Sequence, residues 1–99
     1  MKVMISQPMA GKTNEQIKQD RQKLVSQLKD KGYEVVDTII SENAPSNSTE
    51  AIFYLSKSIE YISKVDAVVF MSGWKNARGC RIEHNVALEY GKFIMEEEE

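Results

Sequence analysis

The chain has 99 residues, of which 41% are hydrophobic and 28% charged, and its formal net charge is −2. This length favours a single domain with a small core, and the dispersed charge offers no basic surface for nucleic acid. The sequence contains no apolar run of membrane-spanning length, no signal-peptide pattern, and too few histidines and cysteines for a typical zinc site. We therefore expect a cytoplasmic protein that binds neither nucleic acid nor membrane.

The first predicted elements are a strand and a helix. The apolar run at residues 3–5 is typical of a strand that is buried on both faces. Thr13 and Gln16 have the spacing of a capping box, which predicts that a helix begins there. This helix is expected to end just before Gly32, because glycine is a frequent terminator of helices.

A second strand is predicted at residues 33–38, with an extension to Ile40, by its β-branched and aromatic residues. Asn47 and Glu50 form a looser capping box, and the apolar residues after them have the spacing of an amphipathic helix. The remaining predicted elements are a buried strand at 67–71, a helix at 79–91 and a short strand at 93–95.

The alternation of strands and helices predicts an α/β fold, a flavodoxin-like or Rossmann-like three-layer sandwich with a parallel sheet of about four strands. Right-handed crossovers in a short chain favour the strand order 2-1-3-4. In this topology a ligand binds beyond the carboxyl ends of the first and third strands. We expect one domain over residues 1–95, followed by a solvated acidic C-terminal tail at residues 96–99.

The third helix carries the most informative pattern: Gly79, Glu83, Ala87 and Gly91 follow at intervals of four, with Lys92 next. Residues at this spacing lie on one helix face, and the small ones are expected to let the helix pack closely on the sheet. On a helical wheel Glu83 lies in the middle of the apolar arc. A carboxylate there is costly unless it is paired, hydrated or used chemically.

Two interpretations of Glu83 are open from the residues alone. It is either a structural residue, stabilised by the helix N-terminus and paired with Arg78 or Lys12, or a nucleophile or electrostatic stabiliser that projects into the crevice. The neighbouring His84 falls on the polar arc of the wheel, where we expect a solvated side chain.

The two loops at the predicted crevice also contain candidate residues. Gly11, Lys12 and Thr13 do not complete a Walker A sequence; they either hold an anion at a helix N-terminus or form only a turn and a cap. Trp74 lies in the second loop, where its indole ring either stacks on a nucleobase or packs into the core.

These residues carry a resemblance to a known family. The first-strand loop, the strand at 65–70 and the motif G-x-x-x-E-x-x-x-A-x-x-x-G-K resemble the nucleoside 2-deoxyribosyltransferase family over nearly the whole chain. Residues 72–83 are most similar to a small bacterial and phage branch of that superfamily. The resemblance implies that Glu83 attacks the anomeric carbon of a deoxynucleoside and displaces the base, after which a second base or water resolves the glycosyl-enzyme.

The same resemblance implies a binding site for a small nucleoside or nucleotide, with no metal and no organic cofactor. The base or sugar would be framed by Gln7, Pro8, Met9 and Trp74, and the sugar or phosphate by Gly11, Lys12, Asn76, Arg78 and Gly79. Because so small a domain leaves its crevice open, we also expect a homo-oligomer, a dimer or larger.

The chain departs from the family pattern at two positions. Where the family has an aspartate that assists departure of the base, this chain has Ser58, and where the family has a serine or aspartate six residues before the glutamate, it has Ala77. Loss of acid assistance alone costs about 10²–10⁴ in rate. A non-catalytic nucleotide-binding module is therefore the alternative function, and a structural domain without a ligand is a third.

Overall fold

The computed structural model describes residues 1–38 and 42–97. Its strands are β1 (Lys2–Ser6), β2 (Glu34–Val35), β3 (Ala67–Phe70) and β4 (Phe93–Glu96), and its helices are α1 (Asn14–Asp30), α2 (Glu50–Ile62) and α3 (Arg78–Glu89), with a 3₁₀ turn at Trp74–Asn76. The described strands form one parallel sheet in the order β2-β1-β3-β4, which confirms the predicted class and strand order. None of the described helices is long and apolar enough to cross a membrane.

The side chains of the central strands alternate between two cores. The core on the α1 side of the sheet consists of Val3, Ile5, Leu24, Leu28, Ala67, Val69 and Met71. The core on the α2–α3 side consists of Met4, Ile62, Val65, Val68, Phe70 and Ala87. Since α1 lies on one face of the sheet and α2 and α3 lie on the other, the protein has the three expected layers.

The same alternation determines where the carboxyl end of β1 points. Ser6 is the last residue of β1, pairs in register with Phe70 of β3 and is 2% exposed. It follows Met4 by two positions, so its side chain lies on the α2–α3 side. The carbonyl group of Ser6 accepts a hydrogen bond from the amide of Met71 at 3.1 Å, which holds the ends of β1 and β3 together.

Strand β2 is shorter than the pattern predicts. It contains only Glu34 and Val35, and pairing with β1 continues through one further bond, from the Val36 amide to the Val3 carbonyl at 2.8 Å. The predicted extension to Ile40 lies outside the described residues. The prediction was too long because β propensity measures side chains that fit a sheet, whereas an edge strand ends where its single neighbour stops pairing.

One of the two predicted capping boxes is half formed: Thr13 caps α1, while the Gln16 side-chain amide donates to Asp20 at 3.1 Å. The Thr13 hydroxyl accepts a hydrogen bond from the Gln16 amide at 3.1 Å, as a capping residue does. The prediction from Asn47 was wrong, because α2 begins at Glu50 after Thr49, whose side chain makes no cap bond. A tight turn precedes that helix, since the Ser48 amide donates to the carbonyl of Pro45.

The small residues of α3 have different roles. Ala87 is fully buried, as close packing on the sheet requires. Gly91 lies beyond the helix at φ +72°, and the Lys92 amide bonds back to the Ala87 carbonyl at 2.9 Å, so Gly91 terminates the helix. Gly79 is exposed, and an added Cβ atom would meet nothing within 4 Å. The packing interpretation is therefore correct for Ala87 and wrong for both glycines.

The acidic run at the C-terminus begins inside the sheet. Glu96 is the last residue of β4, the Glu97 amide donates to the Phe70 carbonyl at 2.9 Å, and the Glu97 carboxylate accepts from the Ser72 amide at 3.0 Å. The predicted solvated tail therefore starts too early, because a run of like charges carries no information about sheet pairing. Residues 98 and 99 lie outside the described residues.

The two glycines predict opposite effects of alanine substitution. Gly91→Ala should lower the free energy of unfolding by about 1 kcal/mol or more, because an L residue is strained at positive φ. Gly79→Ala should raise it by about 0.5–1 kcal/mol, because alanine is a better helix residue and the added methyl group has room. Urea denaturation of both variants measures the difference, and equal losses in the two would contradict it.

Candidate functional site

A buried hydrogen bond joins the ends of two elements that are distant in sequence. The Ser6 hydroxyl, at the carboxyl end of β1, donates to the Glu83 carboxylate in α3 at 2.5 Å, across 77 residues. Glu83 is 8% exposed. The carboxylate thus lies at the carboxyl ends of β1 and β3, where the strand order changes direction and where this fold class binds ligands.

Two further polar side chains surround this bond. Ser58, in the middle of α2, lies beside Glu83, where its hydroxyl group lowers the pKa of the carboxyl group, and the buried thiol of Cys80, one helical turn before Glu83, lies beside Ser6. We call Ser6, Ser58, Cys80 and Glu83 the Glu83 cluster. It is built from three elements, β1, α2 and α3, which meet on the same side of the sheet.

Burial dominates the electrostatics of the Glu83 cluster. Burial raises the pKa of Glu83 above its ordinary value, because a carboxylate loses hydration there, and the hydroxyl groups of Ser6 and Ser58 oppose that rise by donating to the ionised form. Burial also raises the pKa of the Cys80 thiol, and the neighbouring carboxylate adds to the effect. Ionisation of Glu83 or Cys80 is therefore unfavourable, and the nearby hydroxyl groups reduce the free-energy cost of that ionisation.

No cation pairs with Glu83 among residues 1–38 and 42–97. Lys12 instead lies 3.5 Å from Asp20 of α1, and Arg78 is exposed at the first position of α3. The structural interpretation of Glu83 as half of an ion pair with Arg78 or Lys12 is therefore wrong. The loop after β1 turns Lys12 towards α1.

The loop after β1 is divided between the two faces of the sheet. The Gln7 amide nitrogen donates to the Ile17 carbonyl in α1 at 2.8 Å, so this side chain lies on the face opposite Glu83, and its Oε1 atom is buried without a partner among the described residues. Pro8 is buried 3.8 Å from the site where Gly73 would carry a Cβ atom. The structure thus brings the two predicted loops together at Pro8 and separates Gln7 from the Glu83 cluster.

The other predicted residues of this loop are at the surface. Met9 is exposed, and Gly11 adopts φ +78° in the turn that leads into α1. Neither contacts the Glu83 cluster through a hydrogen bond in the described structure. Their assignment to the substrate stays a prediction.

Trp74 packs against other rings. Its indole ring stacks on the imidazole of His84, with centroids 4.2 Å apart and planes 11° from parallel, and Phe70 lies 5.3 Å away. One face of the indole is therefore covered by protein. The expectation that His84 is solvated was wrong, because the wheel does not show that Trp74 folds over it or that Glu96 of β4 lies 3.4 Å from its Nε2 atom.

The start of α3 has open backbone donors. Ala77 precedes the helix and its side chain cannot cap it, and the next two residues, Arg78 and Gly79, are exposed. Asn76 is also exposed, at the end of the 3₁₀ turn, which the Arg81 guanidinium fixes by donating to the Lys75 carbonyl at 3.0 Å. Uncapped N–H groups and a nearby arginine are suited to an anion.

Sequence reasoning missed Ser6 and Cys80. A signal for Ser6 existed: it is the first polar residue after the apolar run of β1, at the crevice end, and an even number of positions from Met4, whose side chain packs on the α2–α3 side. For Cys80, the spacing of three residues before Glu83 places both on one helix face.

Two surface grooves, of about 570 and 280 Å³, lie elsewhere, and neither is lined by Glu83.

The described residues contain no group of three or more histidine, cysteine, aspartate or glutamate side chains that could hold a metal ion. Residues 1–96 match a family model described as Domain of unknown function (DUF4406). A search of curated proteins found no match.

The raised pKa of Glu83 predicts a pH-dependent stability. Between the ordinary glutamate pKa and the raised native value, the native state binds more protons than the unfolded state, so stability falls as pH rises through that interval and stays lower above it. Glu83→Gln should therefore melt a few degrees higher than the wild type at neutral pH, and the gain should vanish below about pH 4. Thermal melts from pH 3.5 to 8 measure this gain. The matched control is Glu89→Gln on the exposed face of α3, and a gain of the same size in it would contradict the explanation.

Proposed function

We propose that this chain, which belongs to the DUF4406 family, cleaves or exchanges the N-glycosidic bond of a nucleoside or nucleoside monophosphate, with Glu83 as the nucleophile. The observation that carries the proposal is the Glu83 carboxylate. It is buried at the carboxyl ends of β1 and β3, and the part of the chain that the structure describes places hydroxyl groups and no cation against it. The motif around Glu83, which resembles that of the nucleoside 2-deoxyribosyltransferases, supplies the reaction class.

The geometry of the Ser6 bond fits a nucleophile. A cation would stabilise the carboxylate in the ground state and weaken it as a nucleophile, whereas a neutral hydroxyl group orients it at smaller cost. Because Ser6 donates to Oε2, we assign the attack to Oε1. An ester bond then forms between Oε1 and the anomeric carbon as the bond to the base breaks, and the electron pair leaves with the base. Water or a second base attacks the same carbon and releases Glu83.

The start of α3 supports a phosphorylated substrate. Gly79 presents no side chain, the Arg78 guanidinium is exposed, and the cap position is Ala77, so an anion could approach the first N–H groups of the helix. These groups lie about one turn from Glu83 along the same helix. We therefore expect nucleoside 5′-monophosphates to be better substrates than nucleosides.

A second candidate function is a nucleotide-binding module without catalysis. Two observations favour it: Ser58, which is too weak an acid to protonate a departing base, lies against Glu83, and the carboxylate is 8% exposed. In this case Glu83 would accept hydrogen bonds from the sugar and would form no covalent bond.

The test uses deoxynucleosides and their 5′-monophosphates, with and without a second free base, and chromatography of the released base. The proposed enzyme should release or exchange base, Glu83→Gln should lose at least about a thousandfold in rate, and Glu89→Gln should behave as the wild type. If no base appears but a monophosphate raises the Tm of the protein, the binding module is correct. If neither occurs, both functions are wrong.

Ser58→Asp should increase the activity. The carboxyl group would lie against Glu83, and two neighbouring carboxylates raise the pKa of one of them, which provides an acid for the departing base. We expect base release to rise by about 10²-fold, at the lower end of what general acid catalysis contributes. The rate of base release measures this, and Ser56→Asp is the matched control, since Ser56 is exposed on the same helix and its hydroxyl donates to the Phe53 carbonyl. An unchanged rate in a folded Ser58→Asp variant would contradict the role assigned to this position.

A further inference from the structure

Strand β4 leaves one row of backbone groups without a partner. The Phe93 amide donates to the Asp66 carbonyl and the Glu97 amide donates to the Phe70 carbonyl, so alternate residues of β4 face β3. By that alternation the N–H groups of Ile94 and Glu96 and the C=O groups of Lys92 and Ile94 face away from the sheet. No described residue hydrogen-bonds to them. β4 is therefore an open edge.

The side chains of this edge are apolar in the middle and oppositely charged at the two ends. Phe93, Ile94 and Met95 are preceded by Lys92 and followed by Glu96, and Phe93 is 66% exposed. Natural edge strands are usually protected by being short, by a central charge, by proline or by a bulge. The other edge strand, β2, is protected by its length of two residues, whereas β4 has none of these devices in its centre.

If two copies of β4 pair in antiparallel orientation about a two-fold axis, one register satisfies the outward-facing N–H and C=O groups named above in both copies. Among the registers that oppose outward-facing residues, the one centred on Ile94 places it against Ile94 of the partner subunit. Lys92 then lies against Glu96 of the partner subunit, on the same face, so this register alone pairs the opposite charges. On the other face Phe93 lies against Met95 of the partner subunit. The Lys92–Glu96 pair joins opposite charges, and the other pairs join apolar side chains. The two-fold axis makes the Lys92–Glu96 and Phe93–Met95 pairs occur twice.

We propose that two copies of this chain associate through their β4 edges and form a continuous eight-stranded sheet. The junction has two hydrogen bonds between the Ile94 residues and two from the Glu96 amides to the Lys92 carbonyls. The partner is a second copy because the edge is complementary to itself in charge and in sequence. This inference does not depend on the proposed function.

Charge reversal tests the interface. Sedimentation equilibrium over a range of concentrations should show a monomer–dimer equilibrium for the wild type. Lys92→Glu and Glu96→Lys each place like charges opposite one another at both ends of the junction, and each should weaken the dimer by about tenfold. The double variant K92E/E96K restores opposite charges and should restore the wild-type affinity, although it lacks the contact between Glu96 and His84. Circular dichroism verifies that all variants are folded.

Cysteine cross-linking tests the register. Only residue 94 lies directly opposite its own copy, at a Cα separation of about 5.5 Å that a disulfide can span. Ile94→Cys should therefore form a covalent dimer on oxidation. Lys92→Cys, which the register places roughly 13 Å along the strand from its copy, should not. A wild type that is monomeric at every concentration, single charge variants with unchanged affinity, a double variant that is not restored, or no cross-link at residue 94 would each overturn the proposal.

Discussion

The pairing of β1 with β3 determines the position of almost every candidate residue. Its register, from Val3 opposite Ala67 to Ser6 opposite Phe70, makes both strands central and buries them on both faces. Because successive side chains alternate, the end of β1 directs Ser6 to the α2–α3 side, while the Gln7 amide bonds to α1 on the opposite side. A shift of one residue would exchange the two side chains, and Glu83 would lose its hydroxyl partner.

In the Glu83 cluster, burial destabilises the carboxylate, and two neutral hydroxyl groups partly offset that effect. An unpaired carboxylate inside a protein is among the most costly groups to bury, and the hydroxyl groups of Ser6 and Ser58 recover only part of the lost hydration, so burial still dominates. The rest of that helix face, Cys80 and Ala87, packs without charge, so Glu83 is the exception on it. The energetic penalty at this one position is the physical reason to look for function there.

The sequence was sufficient for the fold and for the location of Glu83, and insufficient for its partners. Continuous apolar strands and crossover rules predict the sheet order because they depend on local patterns and chain length. Helical periodicity places Glu83 on the buried face for the same reason. In contrast, the contact of Ser6 with Glu83 spans 77 residues, and the stack of Trp74 on His84 depends on how a loop folds over a helix. Patterns of three or four residues carry no information about either. The prediction that Gly79 and Gly91 pack on the sheet was wrong, because their spacing in the sequence does not show whether another element lies against them.

The long separation of paired segments also has a consequence for how the chain folds. Strand β1 precedes the other described strands in the chain, but its Lys2 amide meets Asp66, 64 residues later, and the bond to Glu83 lies later still. Non-local parallel pairing of this kind is slow, because a long loop must be closed before any contact stabilises it. During synthesis β1 therefore has only the two-residue strand β2 as a partner until β3 emerges, and its apolar side chains are exposed to aggregation in that interval.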